Sequence, residues 1–374
     1  VTDAALVTGF PRLIARRVAT DLLTRGAPAV VLLVGAGHRD EAQRWRDALP
    51  LAEAARVTIC EGDVTAIDLG LAGAEYLDLA RRVGEVHHTA LALSDADDPR
   101  EAEALNTRGN REVLEFARTG LAAGAAPRVM VYGSVRVAGD FNGTLHEDDL
   151  ELAQGFRSPW EASLLRVERL WRRAAREVPV TVLRAALTVG DSKTGEFDRI
   201  EGLYVLVLVL LGAPVELRAP LPFALVGDRP LNVVPVDFVA RAGVALAVAP
   251  EAVGRTLHLV DPTPLPARRL WELLARAAAR QSGRGLVPVH VARALLTAPG
   301  RERLTRSPRA FVDQVVPRAR YGSAGARSLL GLRGVECPPF ADYVDGLVDA
   351  VRARLGAAPA RVGATEADAD DALW

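Results

Sequence analysis

The sequence predicts an α/β protein: a Rossmann-like doubly wound parallel sheet with a smaller, mainly helical lobe. Three observations predict it. Short apolar runs alternate with longer amphipathic ones through the first half of the chain, the rhythm of a parallel sheet wrapped by helices. Several of those runs, such as "AVVLLV", are apolar from end to end, as strands covered on both faces require. A glycine-bearing turn, "TGFPRLIA", joins the first run to the first helical stretch, where such sheets place an anion-binding loop.

In order along the chain, "AALV" (4–7) is the first strand and 12–25 the first helix. "AVVLLV" (29–34) is the second strand, and "RVTICEGD", "EVHHTA", "RVMVYGS" and "VTVLRAA" supply four more. Helical periodicity covers 39–49, 101–118 and 159–176 between them. Past Asp191 the rhythm breaks into proline-rich loops and scattered helices. This divides the chain into a core over 1–190, a second lobe over 191–356 and an acidic, aperiodic tail over 357–374, expected to be mobile. Residues of about 230–262 ("PLNVVPVDFVARAGVALA", "RTLHLVD") return to the core, so the lobes interleave.

A chain of 374 residues buries a full core. Its formal net charge of -1 gives no electrostatic case for nucleic acid. Cys60 and Cys337 are the only cysteines, too few for a disulfide framework or zinc cluster, which points to a reducing, cytoplasmic setting. Nothing after Val1 reads as a signal peptide. The longest apolar run, "LYVLVLVLLGAP" (203–214), is shorter than the ~20 residues of a membrane span and reads as a buried helix or pocket wall. Lys193 is the only lysine among many arginines, a compositional bias with no functional content.

Within the turn, Gly9 holds the first glycine position and Ala15 the third, but Arg12 occupies the second, where a side chain obstructs an approaching diphosphate. Arg12 either pairs with a phosphate or swings to solvent. The second strand ends "LLVGAGHRD": Gly35 offers no handle for a ribose, leaving His38 and Arg39 as weak contacts for a 2'-phosphate. Asp63, after the third strand, suits an adenine edge.

The landmarks "GDVTAIDLGL", "VHHTALAL", "LNTRGNREVLEFA", "VAGDFNGTLHEDDLELAQGFRSPWEASLLRVERL", "VTVLRAALTVGDSKTGEFDRIEGLY" and "NVVPVDFVARA" closely resemble the extended short-chain dehydrogenase/reductase family. Within it they resemble the fatty acyl-CoA reductase and thioester reductase branch, over roughly Ala4 to Ala247. The resemblance implies an NAD or NADP site built from Thr8, Gly9, Arg12, Ala15, Asp63, Val64, Ala90 and Asn106. It also implies a catalytic tyrosine, a lysine four residues later and a serine. Here the tyrosine position is Trp160, the lysine position Leu164 and the serine position Gly133, with Ser134 beside it. Lysine lost to arginine-rich bias becomes arginine; Leu164 is a change of chemical type. Losing a general acid commonly removes about 10²- to 10⁴-fold in rate.

Three readings follow. The first is a non-redox member of the fold that binds an acyl or polyketide-like ligand, or a protein partner, in the old substrate cleft, with weak or absent NAD or NADP binding. The second is a repurposed isomerase, cyclase or lyase. The third is an NAD(P)H-dependent acyl-thioester or carbonyl reductase with a non-standard proton donor. The resemblance places Ser134, Trp160 and Lys193 at the old active site and His88, Asp140, His146, Glu147, Asp191 and Glu196 near it. Lys193 is a candidate contact for a CoA or phosphopantetheine phosphate, and analogy suggests a homodimer. No metal site is expected.

Overall fold

The computed structural model describes residues 4–92, 99–212, 219–221, 230–279, 282–286 and 319–357. Most of the expected tail (358–374) and the last two residues of the 203–214 run lie outside them. The first half forms β1 (Ala4–Phe10), α1 (Leu13–Arg25), β2 (Ala29–Val34), α2 (Arg39–Asp47), β3 (Val57–Glu61), α3 (Gly73–Arg82), β4 (Val83–His88), α4 (Asn110–Ala122), β5 (Arg128–Ser134), α5 (Pro159–Ala174) and β6 (Val180–Ala185). The second half adds α6 (Leu203–Gly212), α7 (Val236–Ala247), β7 (Thr256–Leu259), α8 (Ala267–Ala277), α9 (Ala324–Gly331) and α10 (Val344–Ala357).

Seven parallel strands lie in the order β3-β2-β1-β4-β5-β6-β7. Val7 of β1 sits opposite Leu32 on one side and His87 on the other. The strand order reverses between β1 and β4, and a doubly wound sheet opens its ligand crevice there, beyond the carboxyl ends of the strands. Val18, Leu22, Val239 and Val244 of α1 and α7 cover one face; Leu79, Phe116, Val167 and Trp171 of α3, α4 and α5 cover the other. Both faces are therefore dry, which is why strands such as β2 are apolar throughout.

One expected helix differs. A short helix at Pro99–Glu103 widens into a π-helical turn over Ala104–Gly109 before α4 begins. Asn110 donates from Nδ2 to the carbonyls of Leu105 and Asn106, both at 3.2 Å, supporting the opened ladder. The apolar 203–212 stretch is α6, buried against Leu270, Trp271 and Leu274 of α8 and Val344, Leu347 and Val351 of α10 in a second core.

A buried ionic group ties the chain's return to the sheet. Arg184 of β6 is fully buried and donates to both carboxylate oxygens of Glu168, at 2.9 and 2.7 Å. It also donates to His258 Nε2 at 3.0 Å, and His258 Nδ1 meets the Gly322 carbonyl at 2.7 Å. Removing one member strands buried charge. Arg184→Leu is expected to lower unfolding free energy by about 3–5 kcal/mol, read from urea denaturation.

Burial lowers His88 to about 4 and, with the Arg184 charge, His258 to about 3, so both are neutral when folded and charge on unfolding. Below the usual value of 6.5 the unfolded chain binds more protons at these two histidines, so stability is lost as pH falls. Burial raises Asp21 to about 6, which opposes one of them. Glu85, which burial alone would raise but His87 and Arg25 hold down to about 2, adds to the loss as pH nears 4.5, so unfolding free energy is expected to fall by on the order of 1 kcal/mol or more for each pH unit descended from about pH 6 to 4.5. Denaturation midpoints across that range measure it.

Candidate functional site

The carboxyl ends of the central strands open into a cleft of about 890 Å³. Gly35, His38, Asp63 and Val64 line its β2–β3 side, Gly9, Arg12 and Leu13 its middle, and Ser134, Arg136, Trp160 and Tyr321 its β5–α5 side.

The turn after β1 needs glycine. Gly9 has φ +94°, and a Cβ there would lie 2.6 Å from Thr89 Oγ1 and 2.9 Å from the Ala90 amide. Beneath it, Thr8 Oγ1 pairs with His88 Nδ1 at 2.9 Å and the Thr8 carbonyl accepts from Thr89 Oγ1 at 2.5 Å, so both are structural. Arg12 does not swing to solvent: its guanidinium donates to the Leu91 carbonyl beyond β4. Its backbone precedes α1 without a side-chain cap.

The cap comes from elsewhere. The Leu13 amide donates to Asp198 Oδ2 at 2.7 Å, and Arg16 pairs with Asp198 at 3.2 Å and Glu196 at 2.7 Å. Arg17 pairs with Glu196 at 2.8 Å and Asp191 at 3.1 Å. Burial alone would raise the Asp191 carboxyl, but the amides of Thr194 and Lys193 and the Arg17 guanidinium hold it below its usual value. The acidic loop after Gly190 thus lies across the head of α1.

On the other side, Ser158 caps α5, Pro159 opens it, and Glu161 accepts from the Arg157 amide at 3.0 Å. The helix buries Trp160, Leu164, Val167 and Trp171. Trp160 and Leu164, four residues apart, join Val137, Ala138, Leu145 and Ala319 in one apolar cluster, with Tyr321 packed against it. The Arg136 guanidinium sits 5.5 Å from the Trp160 ring centre and pairs with buried Glu161. The Trp160 Nε1 is buried without a hydrogen-bond partner among the described residues. An indole N–H does not titrate as an acid in this role, and Leu164 carries no charge to tune one.

Of the predicted residues, Gly9, Arg12, Asp63, Val64, Ala90, Gly133, Ser134 and Trp160 line the cleft. Thr8, Ala15, Asn106 and Leu164 are buried outside its lining. Asn106 bonds the Ala92 amide at 3.0 Å and Ser163 Oγ at 2.7 Å, bracing β4's exit against α5. Lys193 does not reach the old active site: it is exposed and outside the lining, because its own amide is tied to Asp191 in a tight surface turn. Asp140 accepts from the Gly155 amide at 2.7 Å and His146 is exposed. Glu147 caps α9 through the amides of Gly325 and Ala326, at 2.8 and 2.9 Å. Arg39 pairs with Glu61 at 2.9 Å, away from the lining. Among the described residues no cluster of three or more metal-ligating side chains occurs, and no helix is long and apolar enough to cross a membrane. Sequence reading missed Asp198, Arg136 and Tyr321. The facing charges of "ARR" (15–17) and "GEFD" (195–198) were the available signal for the first.

A sequence model of the NAD-binding male sterility protein family matches residues 7–243. The chain belongs to that family. It is 24% identical to one of the subunits of linear gramicidin synthase from Brevibacillus parabrevis over 275 residues, which are 70% of this chain and 5% of that one. It is 27% identical to the L-2-aminoadipate reductase large subunit of Penicillium chrysogenum over 288 residues, 69% of this chain and 19% of that one. The chain thus spans under a fifth of either relative. The terminal R domain of the myxalamid PKS-NRPS pathway superposes with a TM-score of 0.78 at 22% identity, covering 94% of this chain and 91% of that one, a likeness of fold.

The family's NAD-binding description implies a dinucleotide, and at the head of α1, where its diphosphate would lie, this chain's own groups are already engaged. The Leu13 amide already holds a carboxylate, and Arg12 bonds the Leu91 carbonyl. Gly9→Ala is expected to cost about 1–3 kcal/mol of stability, since the new Cβ meets backbone as well as side chain and keeps a positive φ. Chemical denaturation of the variant against wild type checks it.

Proposed function

We propose that the chain is a reductase-type domain that binds an acyl or polyketide-like ligand in its cleft and does not carry out tyrosine–lysine hydride transfer. The observation that carries this reading is the burial of Trp160 and Leu164 in one apolar cluster at the helix position where the resembling reductases place their proton donor and its tuner. Leu187, Leu203, Leu231 and Val236 give the cleft an apolar wall suited to a chain-like ligand. Both curated relatives are far longer, and one belongs to a peptide synthase, which supports delivery of the ligand as a thioester within a larger assembly.

The family and the reductase relative favour a second reading, NAD(P)H-dependent reduction of an acyl thioester or carbonyl with another proton source. Ser134 and Tyr321 bring hydroxyls to the cleft lining, and Tyr321 packs against the cluster that holds Trp160. Burial raises Tyr321 to about 12, which keeps it protonated, as a donor must be.

One set of measurements separates the two. Assays with NADPH or NADH and aldehydes or acyl thioesters are expected to show turnover far below the ordinary ~1–10³ per second. Fatty acids or polyketide-like thioesters that carry no diphosphate are expected to raise the melting temperature, a stabilisation of about 2.7 kcal/mol at a hundredfold excess over Kd, and Trp160→Ala to weaken that shift. Ordinary turnover supports the second reading; no shift with any apolar ligand sinks the first.

A further inference from the structure

We infer that Asp198 is a specificity-determining residue of the cleft: an internal anion that occupies the place of a diphosphate at the head of α1 and selects against diphosphate ligands. The inference rests on the proposed function only in taking the cleft as the binding site; it does not involve Trp160.

The free amides in the first turn of a helix, with the positive end of its dipole, draw an anion from whatever source lies nearest. In this chain the source is covalently attached. Asp198 takes the Leu13 amide at 2.7 Å and the Arg16 guanidinium at 3.2 Å, two groups that would otherwise meet phosphate oxygens. Glu196 and Asp191 engage the remaining reach of Arg16 and Arg17. The positive potential of this turn is answered from within, and of the three carboxylates it is Asp198 that lines the cleft an incoming diphosphate would enter.

The loop that carries Asp198 is built into the fold. Asp191 Oδ1 accepts from the amides of Lys193 and Thr194 at 2.9 and 2.8 Å, and the Asp191 amide donates to the Glu196 carbonyl at 2.9 Å, closing the turn. Phe197 stacks on Tyr204 of α6 with ring centres 4.3 Å apart. From outside, Arg354 of α10 donates to the Asp198 carbonyl at 2.9 Å and lies 5.0 Å from the Phe197 ring centre. The backbone around Asp198 is thus fixed by α6 and α10, and a diphosphate must displace its carboxylate from the Leu13 amide and Arg16 of α1.

ADP-ribose is the probe, because it carries the diphosphate, ribose and adenine of a dinucleotide without the nicotinamide that would approach Trp160. Calorimetric titration of the full chain compares wild type with Asp198→Asn and Asp198→Ala. Asparagine keeps an acceptor for the Leu13 amide, which guards the fold, and melting curves confirm that each variant is folded. Both variants are expected to bind ADP-ribose at least about tenfold more tightly than wild type, since one like charge at contact distance is removed. The difference is expected to shrink as salt rises from about 0.05 to 0.5 M, and adenosine, without a diphosphate, to bind all three proteins alike. Equal or weaker ADP-ribose binding by both folded variants, or none by either, overturns the inference. Turnover plays no part in this test, so its failure leaves the reading of Trp160 and Leu164 standing.

Discussion

The first-turn amides of α1 have no partners inside the helix, and a helix that ends in a crevice must find them elsewhere. Arg12, at the cap position, has no side-chain acceptor to offer. The acidic loop 191–198 supplies one, and much of the cleft follows from that bond. It fixes the loop whose Phe197 stacks against Tyr204 over α1, and Arg16 and Arg17 are committed to carboxylates of the same loop. The cleft stays open on both sides of this point, but its middle is already charged and bonded.

The β5–α5 side shows the same substitution of internal contacts for external ones. A helix packed on a sheet buries one stripe, and in α5 that stripe extends to its first turn, through Leu164 to Trp160. Where a reductase leaves polar groups at that end to meet a ligand, this chain continues its core. Arg136 and Glu161 are the charges that remain there, and they answer each other beneath the indole. The surface at this end of α5 is largely apolar, with the Arg136 guanidinium over the Trp160 ring.

Late segments of the chain dock on the sheet through buried polar groups as well as apolar packing. Arg184, Glu168 and His258 join β6, α5 and β7, and Glu147 caps α9 from nearly the full length of the sheet domain away in sequence. Each of these groups is costly to bury unless every partner is present, so the arrangement specifies where the returning chain must dock. It also holds Tyr321, two residues after the start of the last described segment, at the lip of the cleft.

The alternation of strands and helices was legible in the sequence because it is written in local periodicity: apolar runs such as 29–34 and the buried stripe from Trp160 to Trp171 need no distant partner to be read. So was the loss of the tyrosine and lysine, since a change of residue type at fixed spacing is visible in one dimension. What Arg12 does was not legible, nor what caps α1, because a backbone amide or carbonyl carries no mark in the sequence of who will bond it. Asp198 lies 185 positions from Leu13, and Glu147 lies 178 from the amide it caps at Gly325. Only the folded chain brings such groups within bonding distance, because the crossover connections of a parallel sheet gather the ends of strands far apart in sequence along one edge. The sequence determined by itself what kind of sheet this is and which residue types stand four apart at the start of α5; the tertiary structure decided which of its own charges meet at the head of α1.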